Sequence, residues 1–363
     1  MKQLNEPTEL FNENTPTYQE ITKIVKKMKC SGSPCPYDQL STIILKRCPY
    51  LRTLLHHIIV HCWENKTFPD EWKYAFSILI YKRDSNKDPA NFRPITLQPV
   101  FAKVFSSLIR NRMYTYLIKN KFIETNLQKG FWSEISGCVE HTELLTYIIN
   151  HSRLKQRQVI ITLLDLKNAF GEIDHEIILK ILDYHHFPES VKELIRSYYT
   201  NYIVSIGTES FVTNPILIEK GVLQGDCLSP LLFNLVVNAL LQTIDHEKIR
   251  SMGYSYSESI RPRHWFQFAD DSALVTSTEE DSQALLNVYT KWCYWAGLKI
   301  CPRKCKTFAM KKNGTKTIQY HPYLRVNNES IPTLKDGEKF IYLGKSFTMN
   351  MKTDAIEIEL KMI

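Results

Sequence analysis

The stretch Phe268-Ala269-Asp270-Asp271-Ser272 places two adjacent carboxylates in an apolar setting, with Ala273-Leu274-Val275 directly after it. Burying a bare charge costs several kcal/mol unless the charge is paired or binds a metal, so the pair calls for a cation. Oxygen ligands suit Mg²⁺, which typically takes one or two carboxylates together with substrate phosphates. The alternative is an ordinary hairpin tip, where neighbouring Asp residues are common.

A third carboxylate, Asp165, ends a second apolar run. Residues 159–166 (VIITLLDL) are typical of a strand buried on both faces. Neighbouring strands lie about 4.8 Å apart, so two such strands could bring Asp165 and the Asp270-Asp271 pair together. Converging carboxylates suit a two-metal site for phosphoryl transfer. Because successive side chains on a strand point to opposite faces, Asp270 and Asp271 cannot be equivalent ligands. Taken alone, Asp165 could instead be a helix N-cap.

Length and composition limit the class of protein. The 363 residues are enough for two or three lobes with a substantial core. The formal net charge of +8 is compatible with a polyanionic partner but does not identify one. No stretch approaches the ~20 apolar residues of a membrane span, and the start of the chain does not resemble a signal peptide. Nine scattered cysteines without zinc spacing favour reduced thiols in an intracellular protein.

The hydrophobic pattern predicts an α+β fold without regular βαβ alternation. A capping box at Thr17–Glu20 predicts the first long helix, and an amphipathic pattern predicts another over 100–119. Strands are expected at 72–82 and from Arg93 to Leu97, on either side of a polar turn. The pattern further predicts helices near 175–186, 188–199, 229–245 and 281–297, extended segments near 202–206 and 211–219, a hairpin over 264–277, and short strands and turns over 306–350.

Six sequence blocks follow one another in a fixed order. They are Arg93-Pro94-Ile95, Asp165-Leu166-Lys167-Asn168-Ala169-Phe170, the run 221–230 (GVLQGDCLSP), Phe268-Ala269-Asp270-Asp271, Gly297-Leu298-Lys299-Ile300 with Lys304-Cys305, and Tyr342-Leu343-Gly344. In this order they resemble a reverse transcriptase of the non-LTR retrotransposon type. Ile331-Pro332-Thr333-Leu334, before the last block, is similar to the R2-like branch of that family. The resemblance runs from about residue 20 to about residue 350.

The resemblance implies a right-hand polymerase fold of the α+β class. It would have helical and β fingers, an antiparallel-sheet palm and a largely absent thumb. The expected domains are an N-terminal helical extension (1–61), the reverse transcriptase domain of fingers and palm (62–347), and the truncated start of a thumb or connection (348–363).

The resemblance also assigns catalytic residues. Asp165 and Asp270 would be the principal Mg²⁺ ligands, with Asp271 beside them and the carbonyl of Leu166 as a further ligand. Lys304 would protonate the leaving pyrophosphate. Two alternatives stay open for it, since Lys306 competes for the role and the basic residues here could form a merely solvated cluster. The hairpin Tyr342-Leu343-Gly344 would grip the primer.

On the substrate side, Lys82 and Arg93 would bind the incoming triphosphate, because an Arg fork matches phosphate geometry. Lys82 could instead be a solvated strand end, with Arg83 in its place. Phe170 would block a ribose 2′-hydroxyl and so select deoxynucleotides, unless it simply packs in the core. Gln224-Gly225 would lie against the incoming nucleotide and template, where glycine permits close backbone approach. The alternative for this dipeptide is a plain turn before the next helix.

The implied reaction is template-directed addition of deoxynucleotides to a primer 3′-hydroxyl, with two Mg²⁺ ions or Mn²⁺ in their place. The expected partners are an RNA template, a DNA primer and deoxynucleoside triphosphates, without a membrane. A nuclear location follows only from the retrotransposon life cycle. One alternative is a truncated or host-retained copy that binds RNA without synthesis. A metal-dependent nuclease would also cluster carboxylates, but it would not explain Phe170, Gln224-Gly225 or the Arg93 block.

Overall fold

The computed structural model describes residues 4–30, 32–82, 85, 87–132, 137–208, 210–256 and 261–350. Its backbone separates into two compact units. Within the described ranges, the first unit spans residues 4–123 and 170–236, and the second spans residues 124–169 and 237–350. The predicted division into an extension, a reverse transcriptase domain and a thumb start follows different boundaries and stays a prediction.

The elements alternate between helices and strands without a repeating unit. In chain order they are α1 (Tyr18–Lys27), α2 (Thr42–Arg47), α3 (Pro49–Glu64), β1 (Tyr74–Tyr81), β2 (Phe92–Leu97), α4 (Val100–Lys119), α5 (Gly137–Lys155), β3 (Val159–Leu164), α6 (Ala169–Glu172), α7 (His175–Tyr184), α8 (Glu189–Tyr199), β4 (Ile203–Gly207), β5 (Ile216–Leu217), α9 (Ser229–Ile244), α10 (Glu247–Arg250), β6 (Trp265–Phe268), β7 (Asp271–Thr276), α11 (Glu279–Trp295), β8 (Lys306–Asn313), β9 (Lys316–Gln319), β10 (Arg325–Val326), β11 (Glu329–Ser330), β12 (Phe340–Tyr342) and β13 (Lys345–Phe347). Short 3₁₀ turns cover Asp70–Lys73 and Pro89–Asn91.

The first unit contains a four-stranded mixed sheet in the order β2-β1-β4-β5. β1 pairs antiparallel with β2 and parallel with β4. The predicted capping box is confirmed, because the Thr17 hydroxyl accepts from the Glu20 amide and the Glu20 carboxylate accepts from the Thr17 amide. Glu20 also forms an ion pair with the buried Arg112 at 2.9 Å, which ties α1 to α4.

The second unit contains a five-stranded antiparallel sheet in the order β6-β7-β3-β8-β9. β3 lies in the middle, and one of its faces belongs to an apolar cluster with Leu145 and Ile149 of α5. On the opposite face, Trp265 contacts Tyr289 of α11 with ring centroids 5.4 Å apart. Coverage on both faces explains why β3 is almost wholly apolar, as its sequence predicted.

The structure departs from the sequence prediction mainly at α5. No helix was expected over 137–155, because its buried positions include polar residues (His141, Thr142 and Ser152) that obscure the apolar stripe. The predicted helix over 100–119 and the hairpin over 264–277 are confirmed. All nine cysteines lie in the described ranges and are free. None of the helices in those ranges has the length and apolar character of a membrane-spanning segment.

Buried histidines should make the stability of the fold depend on pH. His141 is 2% exposed and contacts the Phe266 ring edge-on. Burial, helped by the positive charges of Arg263 and Lys129, lowers the pKa of His141 to about 3. Because this value lies below that of the unfolded chain, the unfolded state takes up the proton first as the pH falls. Stability is therefore lost below about pH 6.5 and falls further towards pH 3.

We expect His141→Leu to reduce this loss by about 2 kcal/mol between pH 7 and pH 5, as urea unfolding at the two pH values would measure. The matched control is His57→Leu on α3, which makes the same substitution at an exposed side chain. Equal pH dependence in wild type and His141→Leu would contradict the assignment.

Candidate active site

Three carboxylates lie at one end of the sheet in the second unit, where β3 ends and β7 begins. Leu164 pairs with Ser272 across β3 and β7, so Asp165 and Asp271 occupy the next position of the same register. Asp270 lies in the two-residue turn between β6 and β7, because Phe268 pairs with Asp271. The backbone around Asp270 therefore does form a hairpin tip, as the alternative prediction stated. This tip lies next to Asp165. The N-cap alternative for Asp165 is wrong, because the next helix begins only at Ala169.

The two neighbouring carboxylates differ in their surroundings, because Asp270 lies in the turn and Asp271 begins β7. Asp270 is half-buried and Asp271 is exposed. Asp271 begins the face of β7 that continues with Ala273 and Val275 into the apolar cluster. Asp165 is half-buried as well, and the assignment of Asp165 and Asp270 as the principal metal ligands stays a prediction.

A returning segment fixes the backbone of Asp165. The Asp165 carbonyl accepts from the Cys301 amide at 2.9 Å, and its own amide donates to the Cys305 sulfur at 3.4 Å. One residue further, Leu166 forms a β-bridge with Ile300. Burial raises the pKa of the Cys305 thiol to about 12, so this sulfur is a neutral acceptor at ordinary pH. The block 297–305 therefore acts as the backbone support of the Asp165-Leu166 pair.

Lys304 lies on the turn that makes these contacts. Its amide donates to the Cys301 carbonyl at 2.9 Å, and its side chain is exposed. The competing Lys306 pairs in register with Leu163 inside β8 and approaches Glu338 at 4.0 Å. Both lysine side chains are exposed, so the choice between Lys304 and Lys306 stays a prediction.

The turn that contains Asp270 is stabilised by Gln267, which the sequence analysis did not predict as a functional residue. Ala269 has a φ of +53°, which is costly for a residue other than glycine. Gln267, 2% exposed, donates to the Ala269 carbonyl at 2.6 Å. Its amide oxygen accepts from the Trp265 indole at 2.7 Å and from the Ser272 hydroxyl at 2.8 Å. The available signal was a lone amide in the apolar strand 265–268, since a buried amide needs partners.

The hairpin β12–β13 exposes Gly344 at its turn, whereas Leu343 is half-buried and Tyr342 is buried. Leu343 and Gly344 have positive φ angles of +48° and +78°. Tyr342 is 4% exposed and belongs to the apolar cluster. Burial, with a smaller effect of the negative charge of Asp271, raises the pKa of its hydroxyl well above the usual value. Tyr342 is therefore an internal anchor of this hairpin.

The first unit holds the other predicted residues. Lys82 follows β1 directly, and its amide donates to the Asn91 carbonyl at 2.9 Å. Arg93 lies on β2 opposite Ile80, so both cations lie at the same end of the β1–β2 hairpin. Both side chains are exposed. Arg83, the alternative to Lys82, lies outside the described residues.

The loop of Gln224 packs against the strand that carries Arg93. The Gln224 carbonyl accepts from the Thr96 amide at 2.6 Å. Gly225 has a φ of +109°, and a Cβ atom there would lie 2.6 Å from the Thr96 carbonyl oxygen. This position therefore requires glycine for close packing on β2, and the role of Gln224-Gly225 toward a nucleotide stays a prediction.

Phe170 is joined to the same loop by its backbone. Its carbonyl accepts from the Val222 amide at 2.6 Å, and its ring stacks on Phe233 with centroids 4.4 Å apart. The side chain remains half-buried. The structure thus connects Phe170, Gln224-Gly225 and β2 within the first unit, while the carboxylates, Lys304 and Tyr342 belong to the second unit.

Asp226 is a further residue that the sequence reading did not single out. It is 4% exposed and accepts from the Leu228 amide at 3.1 Å and from the Ser229 amide and hydroxyl, both at 2.8 Å. Burial raises the pKa of this carboxyl. Asp226 thereby caps α9 and closes the Gln224 loop.

The carboxylates at this end of the sheet are oxygen donors, the type of ligand that hard divalent cations prefer. Within the described ranges no group of three or more His, Cys, Asp and Glu side chains is arranged to hold a metal ion. Magnesium in phosphate chemistry needs only one or two carboxylates, because water and substrate phosphates take the remaining positions. Carboxylates of this kind lie at the end of β3 (Asp165) and around the start of β7 (Asp270 and Asp271).

Comparisons with known proteins identify the family to which the chain belongs. Residues 80–346 match the family described as "Reverse transcriptase (RNA-dependent DNA polymerase)". A retrovirus-related Pol polyprotein from the type-1 retrotransposable element R2 of Nasonia vitripennis is 31% identical over 279 residues, which cover 76% of this chain. A Pol polyprotein from the type-2 element R2DM of Drosophila melanogaster is 27% identical over 325 residues, or 89% of this chain.

The chain spans only 26% and 29% of the lengths of these two relatives. A solved structure of apo telomerase from Candida tropicalis, truncated from the C-terminal domain, has a TM-score of 0.46 at 10% identity, over 69% of this chain and 52% of that one. The family match confirms the predicted right-hand polymerase fold of the α+β class. Because that match covers most of the chain, this protein is a member of the reverse transcriptase family, with sequence similarity to the Pol polyproteins of R2 retrotransposable elements.

Proposed function

We propose that this chain catalyses RNA-directed DNA synthesis, in which a deoxynucleotide is added to a primer 3′-hydroxyl opposite an RNA template. The proposal rests on one observation. In a chain of the reverse transcriptase family, Asp165 at the end of β3 lies next to the Asp270-Asp271 pair at the β6–β7 turn. The RNA template, DNA primer, deoxynucleoside triphosphates and a nuclear location are parts of the same proposal. No comparison favours a copy that binds RNA without synthesis.

Asp165 and Asp270 would hold Mg²⁺ or Mn²⁺, with Asp271 and the Leu166 carbonyl as additional ligands. Members of the family generally use divalent ions. When bound, such ions supply charge neutralisation at the triphosphate and lower the pKa of the primer hydroxyl.

The remaining residues of the proposal bind, orient or transfer a proton. Lys82 and Arg93 would contact the triphosphate, and the Arg93 guanidinium can do so with two parallel hydrogen bonds. Gln224 and Gly225 would place backbone against the nucleotide and template. The Lys304 ammonium would give a proton to the leaving pyrophosphate oxygen. The Leu343-Gly344 turn, anchored by Tyr342, would contact the primer.

The first test concerns the carboxylates. Asp270→Asn and Asp165→Asn keep the size of the side chain but remove its charge, so each should lower primer extension on an RNA template by about 10³-fold or more. Extension with Mg²⁺ would be measured alongside RNA-template binding. The matched control is Asp336→Asn, an exposed residue in the same unit, which should extend primers like the wild type.

Extension by either variant at the wild-type rate would contradict the assignment. A wild-type chain that binds the RNA template but adds no nucleotide would favour the non-catalytic copy instead.

The second test concerns Phe170. If its ring excludes a 2′-hydroxyl, Phe170→Val should lower the preference for deoxynucleotides over ribonucleotides by about 10- to 100-fold, measured as the ratio of the two kcat/KM values. Phe211→Val, at an exposed Phe of the same unit, is the control. An unchanged ratio in Phe170→Val would leave only a packing role, through the stacking on Phe233.

The third test separates the two lysines. Lys304→Met should lower the single-turnover rate of nucleotide addition by about 10²-fold, the usual contribution of a general acid. Lys306→Met removes only an exposed ion pair with Glu338 and should change the rate by less than about threefold. The reverse order of effects would transfer the role to Lys306, and two small effects would favour the solvated cluster.

A further inference from the structure

A short segment extends the carboxylate-bearing sheet beyond β6. The Gln267 amide donates to the Leu127 carbonyl at 3.0 Å, and the Lys129 amide donates to the Gln267 carbonyl at 3.0 Å. Gln128 and Gln267 thus form a parallel β-bridge. The segment 127–130 therefore lies beside the strand that leads into the Asp270 turn, although it is remote from that turn in sequence.

The Gln128 side chain reaches into the turn itself. It is 0% exposed. Its amide oxygen accepts from the Ala269 amide at 3.0 Å and from the Gly130 amide at 2.7 Å. Both partners are N–H donors, so they require the oxygen, and not the NH₂ group, at this place.

Glycine at position 130 makes this approach possible. A Cβ atom on Gly130 would lie 2.6 Å from the Ala269 nitrogen and 3.1 Å from the Phe268 carbonyl carbon. Contacts that short with backbone atoms would force the segment away from the turn. The neighbouring Lys129 is tied to α5 by an ion pair with Glu140 at 2.7 Å.

Both polar backbone groups of Ala269 are therefore held by buried amides. Gln128 accepts from its N–H, and Gln267 donates to its C=O. Ala269 has the unfavourable positive φ, and the next residue is Asp270. We propose that Gln128 is a positioning residue, which holds Ala269 in this conformation and thereby fixes the direction in which Asp270 leaves the turn. Its catalytic consequence rests on the proposed polymerase function.

The test compares Gln128→Met with Gln319→Met. Methionine keeps the length of the side chain but cannot accept the Ala269 N–H, which then has no acceptor in a buried place. Gln319 is a matched control in the same sheet, because β9 forms the edge opposite β6 and the Gln319 amide likewise holds backbone groups, the Leu334 and Lys335 carbonyls.

The first readout is hydrogen exchange of the peptide 266–271 in the full chain, which requires no enzymatic activity. Gln128→Met should speed exchange of the Ala269 amide by about 10-fold, whereas Gln319→Met should leave it unchanged. Gln128→Glu keeps an oxygen acceptor of the same reach and should retain the protection. If Gln128→Met does not fold, Gln128→Asn repeats the test with an amide too short to reach the turn.

The second readout is primer extension over a range of Mg²⁺ concentrations. Groups that orient metal-binding side chains typically contribute 10- to 100-fold to activity or metal affinity. We therefore expect Gln128→Met to lower kcat, or to raise the Mg²⁺ concentration at half-maximal rate, by that factor. The KM for primer should stay within about threefold of the wild type, because Gln128 is fully buried and contacts the backbone of the turn.

Unchanged exchange at Ala269 in a folded Gln128→Met variant would overturn the proposal whatever the activity. Faster exchange with unchanged kcat and Mg²⁺ dependence would overturn the positioning role. A wild-type chain without primer extension would overturn the proposed polymerase function, while the exchange result would still decide whether Gln128 holds the turn.

Discussion

The register between β3 and β7 is the constraint on which the candidate site depends. It places Asp165 and Asp271 at the same level of two neighbouring strands and leaves Asp270 in the adjoining turn. A slip of one residue would turn every side chain of β3 to the opposite face. Such a slip is strongly opposed here, because one face of β3 packs on α5 while the opposite face of the sheet contacts α11. The packing of the core therefore determines where the carboxylates lie.

The end of this sheet around the Asp270 turn contains buried polar side chains, whereas the centre of the sheet is apolar. Around the turn, buried polar groups replace apolar packing: Gln128, Gln267, Ser272 and the Trp265 indole. Each of them satisfies another buried group, which is the condition under which polar side chains are tolerated inside a protein. None of them carries a formal charge, so their contribution at the turn is hydrogen bonding.

Sequence reasoning could predict what is local and periodic. The apolar run of β3, the hairpin over 264–277 and the capping box at Thr17 follow from residue order and were confirmed. Contacts between distant segments leave no such signal, and Gln128 lies 141 residues before the Ala269 amide that it holds. Helix α5 was missed for a related reason, because His141 and other polar residues are buried only once the second unit has folded around them.

The same distinction between local signals and contacts of distant segments applies to the predicted site residues. Their order along the chain indicated the family, and the register of β3 explains why Asp165 and Asp271 belong together. Sequence could not show which way Tyr342 faces, since a Tyr-Leu-Gly hairpin allows either an exposed or a buried ring. Its burial depends on partners elsewhere in the chain, such as Phe308 of β8.

That burial couples two parts of the second unit. Tyr342 shares the apolar cluster with Ala273 and Val275, which follow Asp271 on the same face of β7. Lys345 adds an ion pair with Glu143 of α5 at 2.8 Å. The Leu343-Gly344 turn is therefore held relative to Asp271 by side-chain packing, and not by the short loop alone. If this turn contacts the primer, the same core that fixes the carboxylates also fixes the distance at which the primer is presented to them. Geometry of this kind, maintained before substrate binds, is what positional catalysis of phosphoryl transfer requires.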